Sequence, residues 1–324
     1  MRWLVHMVIF CLLLFPELIQ AQPKLSFLKP DTTLNKKRVA LVSGSIVGLY
    51  GAALGVLNVY WYKGYPRSKF HFFNDGKEWL GVDKAGHIYN AYYQSRWAVG
   101  LFRWTGMKDR NAIWIGGFTG TFLQSSIEIL DGYSAKWGFS GYDFLANMVG
   151  SGIVIGQELA WKEQRISIKI SATPINYPDD LHNRAKALYG NTVAELFLKD
   201  YNAITTWASL NIKSFIRRES RFPGWLNVAV GYGANGMYGG FANQWCKTPD
   251  HTEYKDCAPD QQVDRSDIRR YSQLYLSFDV DFTKIQTKRR GLKLLLQLLN
   301  MVKVPSPTIE FNPVDKVKFH PIWF

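Results

Sequence analysis

Between Asp83 and Asn147, ionisable and amide side chains recur at helical spacing inside segments that are otherwise apolar and rich in glycine. The order is Asp83-Lys84-x-x-His87, then Glu128-x-x-Asp131, then Asp143-x-x-x-Asn147. Spacings of i,i+3 and i,i+4 set the members of a pair on one face of a helix. A polar group buried without a partner costs about 2 kcal/mol or more, so these groups must meet one another, an ion or a ligand. The chain is therefore restricted to folds in which three polar helix faces converge within an apolar helical body.

Four helices are expected. The first lies within Val39–Tyr62, a run without a charge that follows Lys36-Lys37-Arg38 and is long enough to span a membrane. Its Gly44-x-x-x-Gly48 and Gly51-x-x-x-Gly55 spacings would admit another helix closely, and Asn58 to Lys63 ends it like an interfacial aromatic belt. The others run over 83–104, 111–130 and 141–161, with Gly116, Gly117 and Gly120 again favouring close packing. Ser140 is placed to cap the last of them, with Asp143 at its third position. Were all four to cross an inner membrane, the exported side would carry Lys36, Lys37, Arg38, Arg103, Lys108, Arg110 and the basic C-terminal half. That violates the positive-inside rule, so the helical body is expected to lie in or against a membrane from the periplasmic side.

The N-terminus reads as a cleaved signal over 1–21: Arg2, an apolar run from Leu4 to Phe15, a break at Pro16, and Ala21 at the cleavage position. Cys11 follows Phe10, where a lipid-modification box needs a small residue. Residues 22–38 form an extended basic lead-in. Cys246 and Cys257 flank a polar loop and are expected to form a disulfide in an oxidising compartment. Zinc held by the two thiols and His251 is the alternative, but it lacks a second closely spaced ligand pair. A net charge of +13 on an exported chain points to a membrane or anionic lipid as partner, or to an envelope protein, and no recognition motif points to nucleic acid.

The second half changes character. Ile166, Ile168 and Ile170 alternate as a strand, 180–202 reads as a surface helix, and 225–232 and 271–282 read as two strands bracketing the cysteine loop. Ser277, Asp279 and Asp281 alternate with Phe278, Val280 and Phe282, so the carboxylates are expected to face solvent, with a calcium contact as the alternative. Four or five strands are too few for an outer-membrane barrel, although a terminal Phe324 would suit one. The basic and apolar helix 288–303 is either an interfacial anchor or packed on the core.

The polar constellation has two readings. As a metal site, His87, Glu128 and Asp143 would be ligands for zinc or manganese, Asp131 a general base and Asn147 an orienting group. As a structural network, Lys84 would neutralise Asp83 or Glu128, His87 would donate to a carboxylate, and Asn147 would cap loop carbonyls. No HExxH, GxSxG or phosphate-cradling loop assigns a hydrolase class.

Asp83-Lys84-Ala85-Gly86-His87, the helix ending Ser126 to Gly132, and Trp137-Gly138-Phe139-Ser140-x-x-Asp143-x-x-x-Asn147 together resemble the YfiM-like family of predicted periplasmic or lipoprotein-type envelope proteins. The tail segments 226–233 and 277–281 resemble its longer members, and a fainter likeness runs to VanZ-like membrane proteins. The family's activity is unassigned, so the resemblance implies an envelope location and no reaction. The expected fold is mainly α: a glycine-rich four-helix membrane-associated bundle over 39–162, then a smaller α+β region over 163–324 with an antiparallel strand pair. The expected function is that of a membrane-associated accessory or structural factor, exported and periplasm-facing, with an outer-membrane location compatible. The alternative is a metal-dependent enzyme acting on a lipid or envelope glycan.

Overall fold

The computed structural model of the protein describes residues 29–58, 66–190, 192, 195, 198–217, 219–247 and 254–324. The signal segment, the start of the lead-in, the aromatic belt beyond Asn58 and His251 lie outside the described residues.

Helix α1 (Lys36–Leu57) starts at Asn35, whose side chain accepts from the Arg38 N–H. It is the one helix among the described residues long and apolar enough to cross a membrane, and 6% of its most apolar window is buried. It holds to the rest mainly near its start, where Val42 packs with Ala98, Phe102 and Ala112 and Arg38 lies 4.2 Å over the Trp104 ring. Further along, the Tyr50 hydroxyl donates to the Leu123 carbonyl. A Cβ on Gly44, Gly48, Gly51 or Gly55 would meet nothing within 4 Å, so the small-residue stripe receives no neighbour among the described residues.

Helices α2 (Val82–Trp104), α3 (Asp109–Gly132) and α4 (Gly141–Trp161) pack on one another around Tyr92, Tyr93, Val99, Ile113, Val154 and Ile155. The contact is between backbones. A Cβ on Gly120 would stand 2.1 Å from the Ala91 carbonyl oxygen, and one on Gly150 2.4 Å from that of Ile88. Ser95 and Ser151 share a hydrogen bond of 2.9 Å across this seam, and Ser151 also accepts from the Thr121 N–H at 2.9 Å. Strands β1 (Phe72–Phe73) and β2 (Phe139–Ser140) pair in parallel and draw the segment before α2 against the start of α4. The chain enters α2 through a left-handed turn, with φ of 48° at Trp79, 51° at Leu80 and 78° at Gly81.

Strand β3 (Ile166–Ala172), helix α5 (Asp179–Tyr189), β4 (Ile204–Asn211) and β5 (Leu226–Asn235) follow. A short hairpin of β6 (Gln244–Cys246) and β7 (Gln262–Asp264) then carries the Cys246–Cys257 disulfide. After it come β8 (Tyr271–Val280), helix α6 (Arg290–Leu299), β9 (Ser306–Asn312) and β10 (Lys316–Trp323). The order β10-β9-β8-β5-β4-β3 makes one six-stranded antiparallel sheet. This overturns the expected four-helix bundle with a minor strand pair. Three helices pack together, α1 stays largely exposed, and the largest assembly of the second half is the sheet. The two strands bracketing the cysteine loop are β5 and β8, which pair directly from Leu226↔Val280 to Asn235↔Tyr271.

The reading of the Asp279 and Asp281 carboxylates as solvent-facing is also corrected, because both are buried, as is Ser277, while Phe278 is 55% exposed. Alternation in a strand separates two faces but does not say which is inside. Asp279 pairs with the Lys169 ammonium at 2.8 Å, both fully buried, and accepts from the Ser209 hydroxyl at 2.6 Å. Asp281 caps the following turn by accepting from the Thr283 N–H at 2.9 Å. Both carboxylates are thus engaged by groups of the protein itself.

Candidate metal centre

Three helices and one loop bring the polar groups together. Helix α2 supplies Asp83, Lys84 and His87 from its first two turns, α3 supplies Glu128 and Asp131 from its last, and α4 supplies Asp143 and Asn147 from its first two. The segment after β1 adds Asp75 and Glu78. Ser140 fixes the α4 start: its hydroxyl oxygen accepts the Asp143 N–H at 3.0 Å and its O–H donates to Asp75 Oδ1 at 2.5 Å.

Lys84 is the hub. Its Nζ lies 2.5 Å from Asp75 Oδ2, 2.8 Å from Asp83 Oδ2 and 2.8 Å from Asp143 Oδ1. The last is an ionic contact without hydrogen-bond geometry, so Asp143 Oδ1 remains a buried oxygen with no hydrogen-bond partner. Glu128 Oε1, Asp83 Oδ1 and Asn147 Nδ2 are in the same condition. His87 Nδ1 stands 3.1 Å from Asn147 Oδ1 and 3.8 Å from Glu128 Oε1, and its Nε2 lies 3.7 Å from Asp143 Oδ1. One ligand atom from each of His87, Glu128 and Asp143 lies within 4.8 Å of the other two.

Charge is out of balance. Asp75, Glu78, Asp83, Glu128 and Asp143 gather around Lys84, and burial makes each extra anion costly. Burial first, then repulsion from Asp143 and Asp131, pushes Glu128 up to about 9. Burial and a hydrogen bond shared with Asp75 push Asp143 up to about 8. Burial and the Asp83 charge push Glu78 up to about 7. Asp75 goes the other way: burial opposes ionisation, but its bonds to Asp143, Lys84 and Ser140 hold its carboxyl below the usual range. Burial pulls on Lys84 too, yet the surrounding aspartates keep its ammonium above its ordinary value. Burial lowers His87 to about 4, so the ring is neutral at pH 7. With Nδ1–H donating to Asn147, Nε2 keeps its lone pair on the side of Asp143.

The structure thus assembles His87, Glu128, Asp143 and Asn147 from three helices and places Asp83 and Lys84 beside them. Lys84 pairs with Asp75, Asp83 and Asp143 rather than with Glu128, and Asn147 faces His87 rather than loop carbonyls. Asp131 is half-buried one turn beyond Glu128 and stands outside the three-ligand group. Sequence reasoning missed Asp75 and Glu78. Their signal was two acidic residues at i,i+3 directly after the aromatic segment 70–73. A hollow of about 500 Å³ opens beside the cluster, lined by Phe72, Phe73, Phe139, Tyr142 and Leu145 with Asn74. Asn74 precedes Asp75 and Tyr142 precedes Asp143, so the apolar lining and the polar centre share two chain segments.

Residues 71–156 match a known family. It is described as a predicted periplasmic lipoprotein (DUF2279). The matched stretch holds all of the polar centre and stops short of the six-stranded sheet. It agrees with export to the cell envelope. No curated protein and no solved structure matches the chain.

Proposed function

We propose that this protein is a metal-dependent enzyme of the cell envelope, working on a lipid or glycan at a membrane surface. The observation that carries this reading is the set His87, Glu128 and Asp143: three ligand atoms within 4.8 Å of one another, with Glu128 Oε1 and Asp143 Oδ1 buried and without hydrogen-bond partners. A cation at that point would partner Glu128 Oε1, share Asp143 Oδ1 with the Lys84 ammonium, and relieve the crowding of carboxylates. A histidine with two carboxylates suits zinc or manganese. Three protein ligands leave a further position for water, the pattern of catalytic sites. The His87 side chain is 21% exposed, which leaves the centre within reach of solvent. A bound cation would lower the pKa of that water, Asp131 would take its proton, and Asn147 would hold the His87 ring. The apolar hollow would hold the acyl or other apolar part of the substrate.

A second reading has its own observation. The knot of Lys84 with Asp75, Asp83 and Asp143 is what a structural network would look like, and it supports a membrane-associated accessory factor. The likeness to longer YfiM-like envelope proteins is compatible with both. Elemental analysis of the detergent-extracted mature protein separates them. The enzyme reading expects near-stoichiometric zinc or manganese that disappears in His87→Ala while the fold persists. Protein free of metal, and unable to take up zinc or manganese on dialysis, would overturn it and leave the network.

A further inference from the structure

The six-stranded sheet is built inside out. Along β8 the buried residues are Gln273, Tyr275, Ser277 and Asp279, and the exposed ones are Leu274, Leu276 and Phe278. Strand β9 buries Thr308, Glu310 and Asn312 and exposes Ile309 and Phe311. Strands β4 and β5 bury Ser209, Asn211 and Asn227 and expose Leu210 and Val230. On β10, Val317, Phe319 and Ile322 are exposed. An antiparallel sheet with one face in water has the opposite arrangement, apolar inward and polar outward.

Apart from the Trp323 indole N–H, which has no hydrogen-bond partner, the polar groups of the interior meet one another. Lys169 meets Asp279, Asn227 donates to Ser209 at 2.9 Å, Gln273 donates to Glu310 at 2.5 Å, and His320 Nε2 lies 2.6 Å from Glu310 Oε2. Trp207, Tyr275 and Trp323 fill the middle, with Trp323 stacked on Tyr275 at 5.2 Å. The sheet is open, and its two ends approach each other at one point. Thr173, just past β3, donates to the Phe324 carbonyl at 2.8 Å, and the β3 edge exchanges backbone bonds with 301–303 through Ile170. On the outer side, Ile168 of β3 is covered by Tyr92, Val154 and Ile155, and Ile204 of β4 with Tyr232 and Ala234 of β5 by Trp79, Leu80 and Val82 at the start of α2, whereas Leu210 of β4, Val230 of β5 and the apolar outer residues of β8 to β10 are exposed.

We propose that this outer sheet face lies against the acyl chains of a bilayer. A protein partner would account for an exposed apolar face, but it would give no reason for the interior to be polar. Hydrocarbon around the sheet accounts for both, because lipid requires an apolar exterior and leaves the inside free to hold charge and hydrogen bonds. The two central strands, β5 and β8, are each 10 residues long, within the 9–11 residues of a tilted bilayer-crossing strand, while the flanking strands of 7 or 8 residues reach only part of that depth. The exposed α1 helix, long and apolar enough to cross a membrane, is a second element of the same chain with the same requirement.

The test uses the full mature chain, with its Cys246–Cys257 disulfide intact, in phosphatidylcholine vesicles. Leu276→Cys, Val230→Cys and Ile309→Cys are made singly and labelled with an environment-sensitive fluorophore, beside an Asp267→Cys control on the exposed loop before β8. The three sheet labels should be quenched severalfold more by acyl-chain nitroxide lipids than by an aqueous nickel chelate, and the control label the reverse. Three strands are sampled so that one misfolded variant does not decide the outcome. Sheet labels quenched by the aqueous reagent would overturn the proposal. So would sheet labels shielded from both reagents, which would mean that protein covers the face. Because none of these positions touches the polar centre, failure here leaves the metal reading standing, and the metal analysis leaves this proposal untouched.

Discussion

At the scale of single residues, the centre around Lys84 makes predictions of opposite sign. Removing the hub should be costly: Lys84→Met leaves Asp75, Asp83 and Asp143 facing one another, and the expected loss is about 3–5 kcal/mol by denaturant unfolding. Glu128→Gln should do the reverse to the metal-free protein. It removes a buried carboxyl already pushed up to about 9, and should raise stability at pH 9 by about 1–3 kcal/mol while abolishing metal uptake. The pH dependence follows from the same groups. Glu128, Asp143 and Glu78 hold protons in the folded state at pH values where the unfolded chain has released them. Their contribution is complete below about pH 4 and is lost as pH rises toward about 9, under the combined influence of Asp75, Asp83, Asp131 and Lys84. His87 acts oppositely, since its depressed value contributes stability above about 6.5 that is lost as pH falls toward about 4. Metal-free protein should therefore become less stable from about pH 6.5 to 9. Zinc must displace the protons of Glu128 and Asp143, so its affinity should rise by about 100-fold per unit between pH 5 and 8. Melting curves with and without zinc at three pH values check both slopes; a zinc effect independent of pH would remove Glu128 and Asp143 from the ligand set. Most of this centre was legible in the sequence, because Asp83, His87, Glu128, Asp143 and Asn147 interrupt apolar helices at helical spacing. Asp75 and Glu78 were not, because they lie on a short turn whose position depends on the β1–β2 pairing, a contact made across more than sixty residues of chain.

Among the helices, the glycines separate two kinds of small-residue stripe that look alike in a sequence. Gly116 and Gly120 of α3 and Gly150 of α4 are filled by backbone from α2, and Gly117 by the Ile155 side chain, whereas the stripe of α1 has no neighbour among the described residues. Gly120→Ala should therefore cost about 1–3 kcal/mol through displacement of the Ala91 carbonyl, and Gly48→Ala should be close to neutral for the fold. Equal losses in detergent would mean that α1 docks on another helix through Gly48. The cysteine loop is a second element with a separable effect. Its cross-link spans 11 residues of chain, so Cys246→Ser with Cys257→Ser should lower stability by about 2–3 kcal/mol and leave metal content unchanged. The boundaries of α2, α3 and α4 were legible to within two residues because periodicity is local, whereas α1 begins at Lys36, inside the segment expected to be extended, and the helix expected over 180–202 ends at Tyr189 before Gly190. The sheet was not. Its strands were visible one by one, but the polarity that identifies a strand's inner face is reversed here, and the Asp279 and Asp281 carboxylates read as surface for that reason.

At the scale of the whole molecule, two forces would compete to hold the proposed attachment to a membrane. The chain carries a net charge of +13, which alone would draw it to anionic lipid through a screened and reversible attraction. It also exposes apolar side chains on α1, on α3 at Trp114, Ile115, Phe118 and Phe122, on α4 at Leu145, Met148 and Val149, and along the outer sheet rows. Burial of apolar area in hydrocarbon does not depend on ionic strength, whereas the reach of surface charge shrinks from about 10 Å in 0.1 M salt to about 3 Å in 1 M. The two contributions therefore part at high salt. Membranes carrying the full-length protein should retain it through washes in 1 M salt and in alkaline carbonate, and release it only to detergent. Quantitative release by salt would show that basic charge holds the protein from outside and that its apolar faces meet something other than lipid. Retention in salt together with release in carbonate would place the attachment on another protein, since alkaline carbonate strips peripheral chains while leaving hydrocarbon-embedded ones in place.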